Sequence, residues 1–133
     1  MVPVGNRMGE SIAMVTVHMI IGSLVVLAYL VLAVGNAIQL SGDRTLTWTR
    51  QLSMAAALLL LLQYVLGFSL LGNDHTITAS HYLFALAALI TVGVEHAVAY
   101  PNEDKTTRAR LATMATSGTA LLVLIAYLIA ESR

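Results

Sequence analysis

Four apolar stretches, each about as long as a bilayer's hydrocarbon core is thick, limit what this chain can become. They run roughly over 12–40, 52–71, 79–100 and 111–130. A helix needs about 20 apolar residues to cross a membrane. Each stretch meets that length, and only a few ionisable residues interrupt them. In lipid, a short chain can pair its backbone groups only within helices, so all four are predicted to be helical. Composition closes the alternative. The 133 residues are 58% apolar and 11% charged, against roughly 25% charged in an ordinary soluble domain. A water-soluble chain of this size buries only about 60–70% of its unfolded surface, too little to hide so much apolar area. A soluble enzyme is therefore excluded. Seven Lys and Arg balance seven Asp and Glu, with no basic face for nucleic acid. Cysteine is absent, which removes disulfides, thiolate metal sites and a Cys nucleophile.

The connections are short. Ser41-Gly42-Asp43-Arg44 and Gly72-Asn73-Asp74 carry turn residues. Pro101-Asn102 stops the third helix, because proline has no N–H and restricts Tyr100 before it. Short links between neighbours predict an all-α, antiparallel four-helix transmembrane bundle spanning 1–133 as one domain. The first stretch is too long for a secretory leader and lacks a cleavage site after a short apolar core, so it is expected to remain as a span. Orientation follows the loop cations. Arg44 and Arg50 flank the first loop, Lys105, Arg108 and Arg110 flank the third, and the middle loop has none. The first and third loops are expected in the cytoplasm, with both termini outside the cell membrane. Arg7 and Arg133 oppose this bias. Trp48 and Tyr100 fit an inner interfacial belt.

Ionisable groups inside a span are costly and suggest function. His18 lies in the first stretch, and His81, Glu95 and His96 lie in the third. His18 and His81 each fall about eight residues to the terminal side of their span centres, roughly 12–13 Å from the midplane at 1.5 Å per residue. Equal depth on two parallel helices is what a shared metal requires. Gly22 and Ala85 follow these histidines by four residues, on the same helix faces, and leave room for the edge of a flat macrocycle. Haem takes imidazole on opposite faces. Zinc would need further ligands, and copper would call for Cys or a well-placed Met, whereas Met14 and Met19 point elsewhere. The alternative is that both histidines simply hydrogen-bond across helices.

The other polar candidates are less specific. His96, with Glu95, is expected to reach toward the inner boundary. His75 beside Asp74 reads as a solvated loop residue, or as a group at the pocket mouth. Glu10 suits a first helical turn. Arg7 and Arg133 are candidate partners for haem propionates.

The sequence resembles the haem A synthase family in its compact four-helix, archaeal-type form. The resemblance rests on His18-Met-Ile-Ile-Gly22, on Leu62-Gln63-Tyr64-Val65-Leu66-Gly67 and on His81-Tyr-Leu-Phe-Ala85, in that order, and covers about 15–98. It implies oxidation of a methyl group of haem O to the formyl group of haem A. It also implies His18 and His81 as axial ligands of a haem (haem b, or haem O/A), with Gln63 and Gly67 lining its pocket. Self-association into a homo-oligomer would supply a second haem place, through small-residue faces such as Ala55-Ala56-Ala57 and Gly118. A haem O synthase or an electron donor would be a partner. Two family features are missing. Val15 stands where an acid commonly precedes the first histidine, and Met19 where an arginine commonly follows it. Glu10 is the nearest substitute acid, about 80° round the helix from His18. The non-enzymatic alternative is a b-type cytochrome or a haem-carrying membrane subunit.

Overall fold

The computed structural model describes residues 4–42, 46–71 and 78–131, with side chains in the first helix from Ile12 onward. Four helices follow one another: α1 (Val4–Ser41), α2 (Thr47–Leu71), α3 (Ala79–Val94) and α4 (Lys105–Glu131). A π-helical turn, Glu95–Ala99, extends α3. All four helices are long and apolar enough to cross a membrane. The chain is an all-α four-helix bundle, with the features of a multi-pass membrane protein. Helix ends overrun the apolar stretches: α2 begins at Thr47 rather than near Leu52, and α4 at Lys105 rather than near Leu111. Hydrophobicity marks only the part a helix must bury in lipid. The backbone ladder continues into polar residues until a turn or a cap stops it. At α4 that cap is Asp104, whose Oδ2 accepts the Thr107 N–H at 2.7 Å.

Burial follows a four–three spacing on every helix. In α1 the buried seam is Val25, Tyr29, Leu32 and Asn36; in α2 it is Thr49, Ser53, Ala56, Leu60, Gly67 and Leu70. His81, Ala88, Val92, Glu95 and Ala99 form the seam of α3 and its π turn, and Ala112, Thr116, Thr119, Val123 and Ala126 that of α4. This is the geometry of near-parallel helices packed knobs into holes. The opposite faces are apolar and exposed, as at Leu58 (67%), Leu83 (65%) and Met114 (67%), which suits lipid rather than water. Ala56 lies in the seam of its own bundle and offers nothing to a second copy, whereas the Cα of Gly118 faces open space.

Around the bundle, α1 packs on α2 and α4, and α3 packs on α4, while α2 approaches α3 least closely. Helices α1 and α3 therefore stand on a diagonal. Arg50, Lys105, Arg108 and Arg110 gather at one end, called here the basic end; α1 begins and α4 finishes at the other, the terminal end.

The π turn has a local cause. Tyr100 N–H reaches the Glu95 carbonyl at 3.2 Å, five residues back. Pro101 follows without an N–H to continue the ladder, so the last turn widens before the chain leaves the helix.

Candidate functional site at the terminal end

The diagonal pair α1 and α3 brings His18 and His81 face to face across the bundle, with ring centres 6.4 Å apart and planes inclined at 56°. Between them lies a cleft whose walls include Gly22, Gln63, Gly67 and Ala85. All six residues singled out for this pocket from the sequence therefore meet in one place. The cleft amounts to about 540 Å3 of space unfilled by atoms, its mouth included, of which about 50 Å3 has room for water.

Each imidazole is held differently. His81 is buried, and its Nδ1 lies 2.8 Å from the Ala126 carbonyl on α4. That oxygen can only accept, so Nδ1 donates to it and Nε2 is the nitrogen outside this bond. Backbone-anchored imidazoles in metal proteins have this arrangement. His18 is half-buried. The Gln63 amide nitrogen lies 3.0 Å from its Nε2 and donates to it, leaving the proton on Nδ1. That Nδ1 and Gln63 Oε1 are both buried without a partner. A buried polar atom without a partner costs about 1–3 kcal/mol, so this end of the bundle is under-satisfied.

The small residues decide how tightly the histidines sit. A Cβ on Gly67 would come within 3.3 Å of His18 Cε1, so α2 approaches this ring as closely as a glycine permits. A Cβ on Gly22 would meet the Gln63 amide nitrogen at 2.9 Å. Gln63 thus occupies the room that Gly22 leaves. Tyr82 lies edge-on to His81, and its hydroxyl reaches the Gly67 carbonyl at 3.5 Å. Tyr127 accepts from Ser23 at 3.3 Å and donates to Glu131 at 3.1 Å.

His18 and His81 are the residues that would hold a metal-centred group in this cleft. Metal–imidazole bonds of roughly 2.0–2.1 Å on opposite faces put the ring centres roughly 6–6.5 Å apart. The observed spacing lies in that range. Among the described residues, no three His, Cys, Asp or Glu side chains gather around one point, so a metal here would have two protein ligands. With Gln63 packed against Gly22, the cleft as it stands is too small for a macrocycle.

Several sequence expectations fall elsewhere. The side chains of Arg7 and Glu10, and all of His75, Asp74, Arg44 and Arg133, lie outside the described residues. Glu95 and His96 do not reach for the membrane boundary. Glu95 is fully buried, and His96 folds back so that its Nδ1 donates to the Val92 carbonyl at 3.0 Å. The cause is angular. Fourteen residues at 100° bring Glu95 to within about 40° of His81 on the helix, and His81 faces inward. The spacing His81, Ala88, Glu95 was the available signal for this buried acid. Tyr100, expected in an interfacial belt, turns inward and donates to Glu95 Oε1 at 2.9 Å.

No protein-family model, curated protein or solved structure matches the chain.

Proposed function

We propose that this chain is a membrane haem protein of the haem A synthase type, which oxidises the methyl group of haem O to the formyl group of haem A. One observation carries the reading: two imidazoles from diagonal helices, 6.4 Å apart, facing one cleft. His81 would ligate through the nitrogen that its Ala126 bond leaves free. His18 would ligate through Nε2 once Gln63 lets go. Gln63 covers both that nitrogen and the face of Gly22, and in this reading it is the plug a macrocycle displaces. Gly67 and Ala85 keep bulk away from the ring edge. When bound, the haem supplies the electron and oxygen chemistry, while the chain supplies ligation, orientation and a dry wall. By the positive-inside rule the basic end faces the cytoplasm, placing the haem toward the outer leaflet. The reaction calls for two haem places, so a homo-oligomer, an electron donor and a haem O synthase are the partners of this reading.

A second reading is a b-type cytochrome or haem carrier. Two observations favour it. Val15 stands at the place of the expected acid, and among the described residues no carboxylate lines the cleft.

Expression beside a haem O-producing partner, followed by pigment extraction, tests both. The synthase reading expects formyl-bearing haem. A six-coordinate spectrum with unaltered haem supports the cytochrome, and a colourless protein that takes up no added haem overturns both. His18→Ala and His81→Ala should each change the spectrum, while His96→Ala should leave it as it is.

A further inference from the structure

At the opposite end of the bundle, Glu95 is fully buried, about 21 Å along the helix from His81 at 1.5 Å per residue. Carboxylates buried at membrane depth are rare, and they commonly mark ion or proton pathways. The hydrogen bonds of Glu95 are lopsided. Oε1 accepts from Ser53 Oγ at 2.7 Å and from the Tyr100 hydroxyl at 2.9 Å. Oε2 is buried with no partner. The Tyr29 hydroxyl, on α1, is an electrostatic neighbour of Glu95 and is likewise buried without a partner. An ionised carboxylate would leave a charged oxygen bare in an apolar core. A proton on the carboxyl group removes that charge.

A route to water leads away from this site. Tyr100 lines a cleft at the basic end, together with Arg50, Lys105, Arg108, Asn36 and Gln39, with about 1090 Å3 of space unfilled by atoms, its mouth included, of which about 470 Å3 has room for water. The Arg50 guanidinium sits 5.9 Å from the centre of the Tyr100 ring. Tyr100 belongs to both: it lines the cleft, and its hydroxyl donates to Glu95 Oε1.

We propose that Glu95 is an intramembrane proton-binding site that exchanges with the basic-end cleft through Tyr100. A proton arriving from cleft water on the Tyr100 oxygen releases the Tyr100 hydroxyl proton to Glu95 Oε1, and the reverse transfer empties the site. No electrons move and no other reactant is needed. The groups that act on Glu95 are Tyr29 from α1, Ser53 from α2, and His96 and Tyr100 from its own segment, while Arg50 of α2 acts on Tyr100. Helix α4 adds Lys105 and Arg108 along the cleft and presents the neutral Thr116 and Thr119 nearer the core. This site is independent of any haem at the terminal end.

The test is infrared spectroscopy of the full chain in lipid at neutral pH. The expected result is a carbonyl band of a protonated carboxylic acid that is lost in Glu95→Gln and shifted in Ser53→Ala. In heavy water the band should shift promptly in the wild type and more slowly in Tyr100→Phe. Absence of the band, or its survival in Glu95→Gln, overturns the proton site. Equal exchange in Tyr100→Phe overturns the route. If Glu95→Gln fails to fold, the Ser53→Ala shift decides the assignment, and an unshifted band overturns it.

Discussion

The two ends of the bundle arrange their polar atoms differently. At the basic end they bond mainly to one another. Asn36 donates to Thr116 at 3.3 Å, and Gln39 donates to Asn36 at 3.0 Å and to Thr49 at 3.1 Å. The Leu46 N–H donates to Gln39 at 3.0 Å, while Ser53 and Tyr100 hold Glu95. These bonds tie α1 to α2 and α4, and α2 to the end of α3. At the terminal end two imidazoles and an amide meet around a cleft, with His18 Nδ1 and Gln63 Oε1 unpaired. Both ends are built on the same four–three seam. Both ends hold a cleft, lined at the terminal end by the small residues Gly22, Gly67 and Ala85 beside two imidazoles, and at the basic end by Asn36, Gln39 and Arg50. The basic end also leaves the Tyr29 hydroxyl, Glu95 Oε2 and His96 Nε2 without partners, so the ends differ in the network that ties the helices, and each has unpaired atoms that a ligand or a proton would satisfy.

Substitutions at the two ends should separate these roles. The largest effect is expected from Glu95→Ala, which leaves Ser53 and Tyr100 without their acceptor and opens a cavity, costing about 2–4 kcal/mol. Unfolding in detergent measures it. At the other end the double variant His18→Phe, Gln63→Leu should be neutral within about 1 kcal/mol or stabilising in the haem-free protein, because both partners of a poorly satisfied pair become apolar together. A loss as large as that of Glu95→Ala would erase the contrast between the ends.

A smaller effect is expected from Gly67→Ala, whose Cβ must push His18 by a few tenths of an ångström. It should cost about 1 kcal/mol and alter the absorbance of any haem bound there. Gly22→Ala meets only the mobile end of Gln63 and should cost less. The reverse order would mean that Gln63 is fixed rather than displaceable.

The smallest effect concerns neither site. Asp104 is fully exposed, and hydrogen bonds from the Thr107 hydroxyl and backbone hold its carboxyl below the usual carboxylate range. A lowered folded-state pKa means that its contribution is present above the ordinary carboxylate pKa and is lost as pH falls through the folded value. Melting of wild type and Asp104→Asn should therefore differ slightly at neutral pH and converge in acid.

Much of this was legible in the amino acids. The four spans could be read because the cost of burying backbone and charge in lipid depends on local composition alone. The pocket residues were legible because His18 with Gly22, and His81 with Ala85, share faces at fixed spacing and matched depth. Glu95 was misread: its adjacency to His96 suggested a boundary pair, while its fourteen-residue distance from His81 put it in the core. Tyr100 was misread because the π turn, set by Pro101 and by packing, changes which way the end of α3 points.

By itself, then, the sequence determined the class, the number of helices, their antiparallel order and the face each histidine occupies, since all of these follow from hydrophobicity and helical period. Tertiary structure alone decided that α1 and α3 stand on a diagonal, that Gln63 fills the space beside Gly22, and that Ala126 fixes the His81 proton. It also decided that Glu95 finds Ser53 and Tyr100. Such facts depend on distances between helices, and a helix's own period carries no information about what its neighbour places across the gap.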